Sequence, residues 1–377
     1  MWRGLARCGP FLLIAASSLF ALGMDISVLH GILRTRWGIP GDVETFRQSA
    51  ALLLHQFKGH AWTEATYLPY PPPFLLLTVP LSWLPPLTGY IVWVMAGLGV
   101  LVLAARAVHQ PWGAIGLGLT AAPALNCMTM GQTGFFISGC LLLSLGLVET
   151  SPILAGIAAG CIVIKPQFGL LLPVCYLAAG KWRAFMAAAA TFLLLCLLPA
   201  LLFGGHVWSM AFTHSTTGAH NLLTSHWPQG YQYTLVTIFI LCRSLGASFT
   251  ASMAVQGLAS LAAVIACAAL WRHPALRGSQ VRLAATLCLV PFATPYADIY
   301  DLSALTIALA GYAALSGWRA MAPVTLLCAV TSIYVFFSIG WFVPGALLLV
   351  LILVLIWPFK GRAQQRMAWG QPGLCQE

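Results

Sequence analysis

Residues 184–203 read AFMAAAATFLLLCLLPALLF, twenty residues without a charge, entered through Lys181-Trp182-Arg183. A helix of that length rises about 30 Å, the thickness of a bilayer's hydrocarbon layer. Similar apolar runs recur to the end of the chain. Of its 377 residues 60% are hydrophobic and 7% charged. A soluble fold of this size needs far more charge to cover its surface. The fold class that follows is all-α, a polytopic integral membrane protein.

The net charge of +10 does not point to nucleic acid, because the basic residues form no patch. They fall at alternate helix ends: Arg3/Arg7, Arg106, Lys181/Arg183, Arg272/Arg277/Arg282, Arg319 and Lys360/Arg362/Arg366. Cytoplasmic loops of membrane proteins are rich in Lys and Arg, so these clusters orient the chain. A first uncleaved span over about 10–30 leads to an external loop, 31–86. Further spans are expected at about 87–105, 112–128, 132–147, 151–165, 167–180 and 184–203. After a second external loop, 204–248, come 249–271, 283–296, 298–315, 320–338 and 341–358. That makes about twelve crossings in one domain, 1–360, with both termini and a short tail, 361–377, in the cytoplasm. Phe74 to Leu84 is too short to cross and reads as re-entrant or interfacial.

An acid is costly near lipid, so each of the eight carboxylates poses a functional question. Five flank two short polar segments: Asp42, Glu44 and Glu64 in the first loop, Asp298 and Asp301 in the late one. In the first loop Val43, Phe46, Ala50, Leu53, Leu54 and Phe57 recur at helical spacing. This predicts an amphipathic helix on the membrane surface, with Asp42 near its start and Glu44 and Arg47 on the wet face. Asp42 there has two compatible readings, a helix N-cap and a base that takes a proton from an acceptor hydroxyl. Tyr70-Pro71-Pro72-Pro73 is a rigid extended entry, and Trp62, Tyr67 and Tyr70 offer faces to a sugar or make an aromatic belt.

Asp298 and Asp301, at i and i+3 beside Tyr296 and Tyr300, orient sugar hydroxyls, supply oxygens to a metal, or cap a helix. Lys165, before Pro166-Gln167, is either a cation set to hold a phosphate or a snorkelling lysine at the outer interface. Arg243 carries the same pair of readings. Four histidines, His206, His214, His220 and His226, have spacings that match no compact zinc motif, and the eleven cysteines include no C-x-x-C. No cofactor is expected. Gly156-x-x-x-Gly160 reads as close helix packing in a membrane, not as a nucleotide loop.

Taken in order, these segments resemble glycosyltransferase family 87, membrane enzymes of the GT-C architecture. The resemblance rests on Gly41-Asp42, the helix 43–57, and Tyr70-Pro71-Pro72 running to Leu84-Pro85. It continues through Gly131-Gln132, Ala155 to Gly160 leading into Lys165-Pro166, Lys181-Trp182-Arg183 and Pro295-Tyr296 to Tyr300-Asp301-Leu302. It implies inverting transfer of a hexose, commonly mannose, from a polyprenyl-phosphate sugar to a lipid or glycan acceptor. The setting is the outer, periplasmic face of a bacterial inner membrane. Asp42 takes the place of the general base, and Lys165 or Arg243 steadies the phosphate. Gln132, Tyr296, Asp298 and Asp301 position sugar hydroxyls, and an apolar groove beside 74–84 receives the prenyl chain. Glu44, Glu64, Tyr70 and Tyr300 complete the candidate substrate contacts. The alternative is a transporter or flippase of a lipid-linked saccharide, which predicts inverted repeats and broken helices near the bilayer midplane.

Overall fold

The computed structural model describes residues 41–57, 70–316, 321–337 and 342–356, with five positions between 15 and 23. The expected first span, Trp62, Glu64, Tyr67 and the tail lie outside the described residues. In chain order the helices are α1 (Gly41–Phe57), α2 (Leu75–Ser82), α3 (Pro86–Ala107), α4 (Trp112–Thr120), α5 (Ala122–Met130) and α6 (Gly134–Gly146). Then come α7 (Pro152–Cys161), α8 (Leu172–Ala178), α9 (Trp182–Phe203), α10 (His206–Thr224) and α11 (Ile238–Ser244). The last are α12 (Phe249–Arg272), α13 (Gln280–Leu289), α14 (Ser303–Ser316), α15 (Met321–Phe337) and α16 (Phe342–Ile356). Short 3₁₀ turns fill many of the joints, and among the described residues there is no strand.

Among the described residues three helices, α3, α9 and α12, are long and apolar enough to cross a membrane alone, and Ile299–Ser316 is a fourth. The chain is thus a membrane protein, but its described helices do not make twelve long crossings. The span expected at 112–128 is broken into α4 and α5, bent by 57°. Ala121 there is extended, with ψ 154°, and Pro123 in the first turn of α5 has no N–H for a continuing helix. The crossings expected at 132–147, 151–165, 167–180 and 283–296 appear as shorter apolar helices of 10–17 residues. Helix α6, with 13 residues, rises only about 20 Å. Each of these short helices meets a glycine, proline or polar residue where a full span would go on.

Length alone does not place a helix. Helix α9 is the most exposed of the long ones, with 6% of its apolar window buried, and presents Leu193, Leu197 and Leu201 outward. Its inner side packs on α7 where Gly156 and Gly160 lie, the close packing expected of that pair. Ile299–Ser316 is the opposite case, 83% buried at the centre of the bundle.

The amphipathic helix of the first loop is present, and Val43, Phe46, Ala50 and Leu53 are buried along one side. That side faces protein. Phe74, Leu75, Trp93, Val207 and Ala211 belong to the same apolar clusters, so α1 is seated on α2, α3 and α10. The segment 204–248, expected as a loop, is largely helical.

Candidate active site

Aromatic packing seats the first half of the site. The Phe46 ring meets Tyr70 at 5.4 Å, Phe74 at 5.0 Å and Trp93 at 6.0 Å between centroids. These contacts hold the start of α1 beside the Tyr70-Pro71 turn. Opposite them α5 ends at Gly131, whose φ of 65° is left-handed, the usual helix stop for glycine. The Trp93 indole N–H donates to the Gly131 carbonyl at 2.9 Å, and the Tyr90 hydroxyl donates to the Met128 carbonyl at 2.8 Å. Gln132 is thereby presented to both partners. Its Nε2 donates to Asp42 Oδ2 at 2.8 Å, and its Oε1 accepts from the Tyr70 hydroxyl at 3.1 Å.

The second half is an ion pair at a helix break. Lys165 stands between two 3₁₀ turns, Ile162–Ile164 and Pro166–Gly169, where Pro166 ends the run of α7. Its Nζ donates to Asp301 Oδ1 at 2.9 Å and Oδ2 at 3.1 Å, and sits 4.7 Å from the Tyr300 ring centre. Asp298 and Asp301 form a capping box on the 3₁₀ turn Ile299–Leu302 that leads into α14. Asp298 accepts from the Tyr300 hydroxyl at 2.7 Å and from the Thr234 hydroxyl at 2.6 Å. A backbone bond from Val236 N–H to the Ala297 carbonyl, 2.8 Å, ties the 230–237 segment to this turn. Gly134 lets the turn press on α6, since a Cβ there would meet the Tyr300 carbonyl oxygen at 2.3 Å.

Electrostatics joins the halves. Burial raises the Asp42 carboxyl above its ordinary value, the Gln132 hydrogen bond opposes this, the Asp298 charge adds to it and Lys165 again opposes it. Asp298 is also raised, by burial, against the pull of Lys165, Thr234 and Tyr300. The Asp298 charge and burial raise the Tyr296 phenol, with Tyr70, Asp301 and Asp42 adding to the effect. Three carboxylates thus share one ammonium. Asp298 and Asp301 are buried, while Asp42 is half-buried and has Gln132 as its hydrogen-bond partner among the described residues.

A model described as glycosyltransferase family 87 matches residues 67–295, more than half of the chain. The chain belongs to glycosyltransferase family 87. It is a membrane glycosyltransferase, and its reaction needs a sugar donor and an acceptor. No curated protein and no solved structure matches it. The matched stretch holds Tyr70, Gln132, Lys165 and Arg243. Asp42, Asp298 and Asp301 lie beyond it, and folding alone brings them to the other residues.

In this family 87 glycosyltransferase, eight of the residues singled out from sequence come together: Asp42, Tyr70, Gln132, Lys165, Tyr296, Asp298, Tyr300 and Asp301. Two do not. Glu44 is bound by Arg47 at 2.6 and 2.8 Å and by Gln48 at 2.7 Å. Arg243 spends its guanidinium on the carbonyls of Ser225 and Ala247, at 2.9 and 3.0 Å, and so stitches its own loop. Lys165 is not an interfacial cation: its side chain is 2% exposed and the Asp301 side chain 0%. Tyr70 has its ring packed between Phe46 and Phe74, so its hydroxyl, not its face, enters the site.

Thr234 joins the site without a motif to mark it. Its place depends on the pairing of 235–236 with 297–298, for which neither segment carries a signal. The groove expected beside 74–84 is covered on one side, where Phe74, Leu75, Val79 and Leu81 are buried. An apolar cavity of about 340 Å³ lies elsewhere, between α7, α8 and α9, lined by Gly160, Val163, Pro166, Leu172, Tyr176 and Phe192 among others. Pro166 puts one wall of it next in sequence to Lys165. Among the described residues no three His, Cys, Asp or Glu side chains are grouped to hold a metal ion.

Proposed function

We propose that this glycosyltransferase moves a hexose, mannose by its family resemblance, from a polyprenyl-phosphate sugar to a lipid or glycan acceptor, with inversion. The observation that carries the reading is Asp42. It is the least buried carboxylate of the cluster, half-buried where Asp298 and Asp301 are closed in, and one of its oxygens is held by Gln132. An aspartate is a weak base at its ordinary value, and the upward shift from burial moves it toward the range where a general base works best. Asp42 takes the acceptor hydroxyl proton as the oxygen attacks the anomeric carbon from the face opposite the phosphate. One base suffices, because polyprenyl phosphate is a good leaving group.

The buried partners have other tasks. Lys165, fixed by Asp301, supplies a positive field to the phosphate from within the wall of the site. Tyr296, half-buried, contacts a sugar hydroxyl, and Asp298, with both oxygens taken by Thr234 and Tyr300, holds that wall of the site in shape. The cavity beside Pro166 takes the first part of the donor's prenyl chain. We place the site on the periplasmic face of the inner membrane, both termini in the cytoplasm, and the chain in a GT-C arrangement. Glu149, Lys181 and Arg282 are bound together at the far end of α6 from Gln132, which supports opposite faces for the basic anchors and the acidic site. The break between α4 and α5 fits an enzyme as well as a transporter, since α5 ends where Gln132 is delivered.

The test is transfer of label from radiolabelled polyprenyl-phosphate mannose to total membrane lipid extract, comparing wild type with Asp42→Asn. General bases contribute about 10²–10⁴-fold, so the variant should lose at least about 100-fold at an unchanged fold. Full transfer by a folded Asp42→Asn protein would remove Asp42 from the mechanism.

A further inference from the structure

We infer that Gln132 is a positioning residue for Asp42, the middle of a relay from Tyr70 through the Gln132 amide to one carboxylate oxygen. This rests on the role proposed for Asp42 and changes the one expected for Gln132, from sugar contact to holder of the base. The donor directions are fixed by chemistry. An ionised carboxylate only accepts, so the Gln132 amide nitrogen faces Asp42 Oδ2, at 2.8 Å. The amide oxygen is then left to accept from the Tyr70 hydroxyl, at 3.1 Å.

Tyr70 and Gln132 are both anchored from outside the relay. The Tyr70 ring is wedged against Phe46 and Phe74. The Gln132 backbone N–H donates to the Cys127 carbonyl at 3.1 Å, and the Gly131 carbonyl before it is held by Trp93. An amide so fixed binds Oδ2 and leaves Oδ1 toward the acceptor. It also favours the ionised form, against burial and against Asp298, while Lys165 acts on the same side as Gln132. Tyr70 and Tyr296 face Asp42 as phenols, and on its own helix Glu44 and Arg47 are bound to each other.

The experiment reads Asp42 directly. A hydrophobic carbodiimide reacts with protonated carboxyls in apolar surroundings, and mass spectrometry of the Asp42 peptide against pH gives the midpoint of its protonation. Wild type, Gln132→Leu and Tyr70→Phe are compared, with Asp42→Asn as the blank. Losing a charge-assisted hydrogen bond from the ionised form should raise the Gln132→Leu midpoint by about one to two pH units. Tyr70→Phe should move it less and in the same direction. The acid limb of label transfer should shift up with the midpoint, with kcat at neutral pH reduced about tenfold or more and the donor KM unchanged.

An unmoved midpoint in Gln132→Leu would overturn the inference. So would a raised KM with an unmoved pH profile, which would make Gln132 a substrate contact. Failure of the wild type to transfer label would count against the proposed donor only, because the labelling midpoint decides the relay without any substrate.

Discussion

The buried ion pair between Lys165 and Asp301 makes a quantitative demand on stability. The two side chains are 2% and 0% exposed, and Asp301 takes both its oxygens to the ammonium at 2.9 and 3.1 Å. Removing one partner of such a pair strands the other charge in a low-dielectric interior and costs about 3–5 kcal/mol. Lys165→Met and Asp301→Asn should each lose about that much. The double variant leaves two neutral groups, and its asparagine still accepts from the Asp298 N–H at the cap, so it should lose only about 1–2 kcal/mol. The two single losses would add to about 6–10 kcal/mol, so the cycle should show a coupling well above that of an exposed pair. Denaturant unfolding of detergent-purified protein, followed by tryptophan fluorescence, measures all four corners. Additive losses would refute the reasoning. Single losses below about 1 kcal/mol would show a pair reached by water, as for surface salt bridges.

Two other substitutions probe the frame around the site. Gly134→Ala puts a Cβ 2.3 Å from the Tyr300 carbonyl, backbone that cannot swing away, and should cost about 1–3 kcal/mol while displacing Asp298 and lowering transfer; a variant equal to wild type in unfolding and transfer would contradict that packing. Glu149→Gln should cost about 1–3 kcal/mol by freeing Lys181 and Arg282, yet leave kcat per folded molecule unchanged, because it lies at the other end of α6. Burial opposes ionisation of Glu149, but Lys181 and Arg282 outweigh it and hold the carboxyl below about 4.5. A depressed value means that its stabilisation is present above the unfolded value and fades as pH falls through the folded one. The gap between wild type and variant in a pH series of unfolding should therefore close below about pH 4.5. A constant gap would show that the charge is not what stabilises.

Legibility in the sequence was uneven for physical reasons. Continuous apolar runs such as 184–203 and 249–271 declared themselves, because a helix in lipid has no other way to satisfy its backbone. The count of crossings did not, since hydropathy cannot tell a 13-residue buried helix from most of a span. Helix α6 and the broken pair α4 and α5 show this. Periodicity found the buried face of α1 but not what buries it, because Val43, Phe46 and Ala50 serve lipid and protein equally well. Among site residues, Asp42, Lys165 and Asp301 were legible as charges where charge is expensive. Arg243 was misleading for the same reason: its cost is met by two carbonyls of its own loop.

The way the eight residues converge follows from one constraint. Where a helix stops inside an apolar bundle, freed carbonyls and N–H groups must find partners away from water. Every member of the cluster sits at or next to such a stop: Asp42 at the start of α1, Tyr70 before a 3₁₀ turn, and Gln132 after the left-handed end of α5. Lys165 lies between two 3₁₀ turns, and Tyr296 to Asp301 lead into α14. The breaks that shorten the helices are the same ones that allow polar side chains to gather. Asp298 and Asp301 illustrate the economy, since one capping box serves both the helix start and the ion pair with Lys165. For Asp298 and Asp301, capping and membership of the site are thus not competing readings. The helix ends hold these acids in place, and Asp42, half-buried beside Gln132, is the least enclosed of the three.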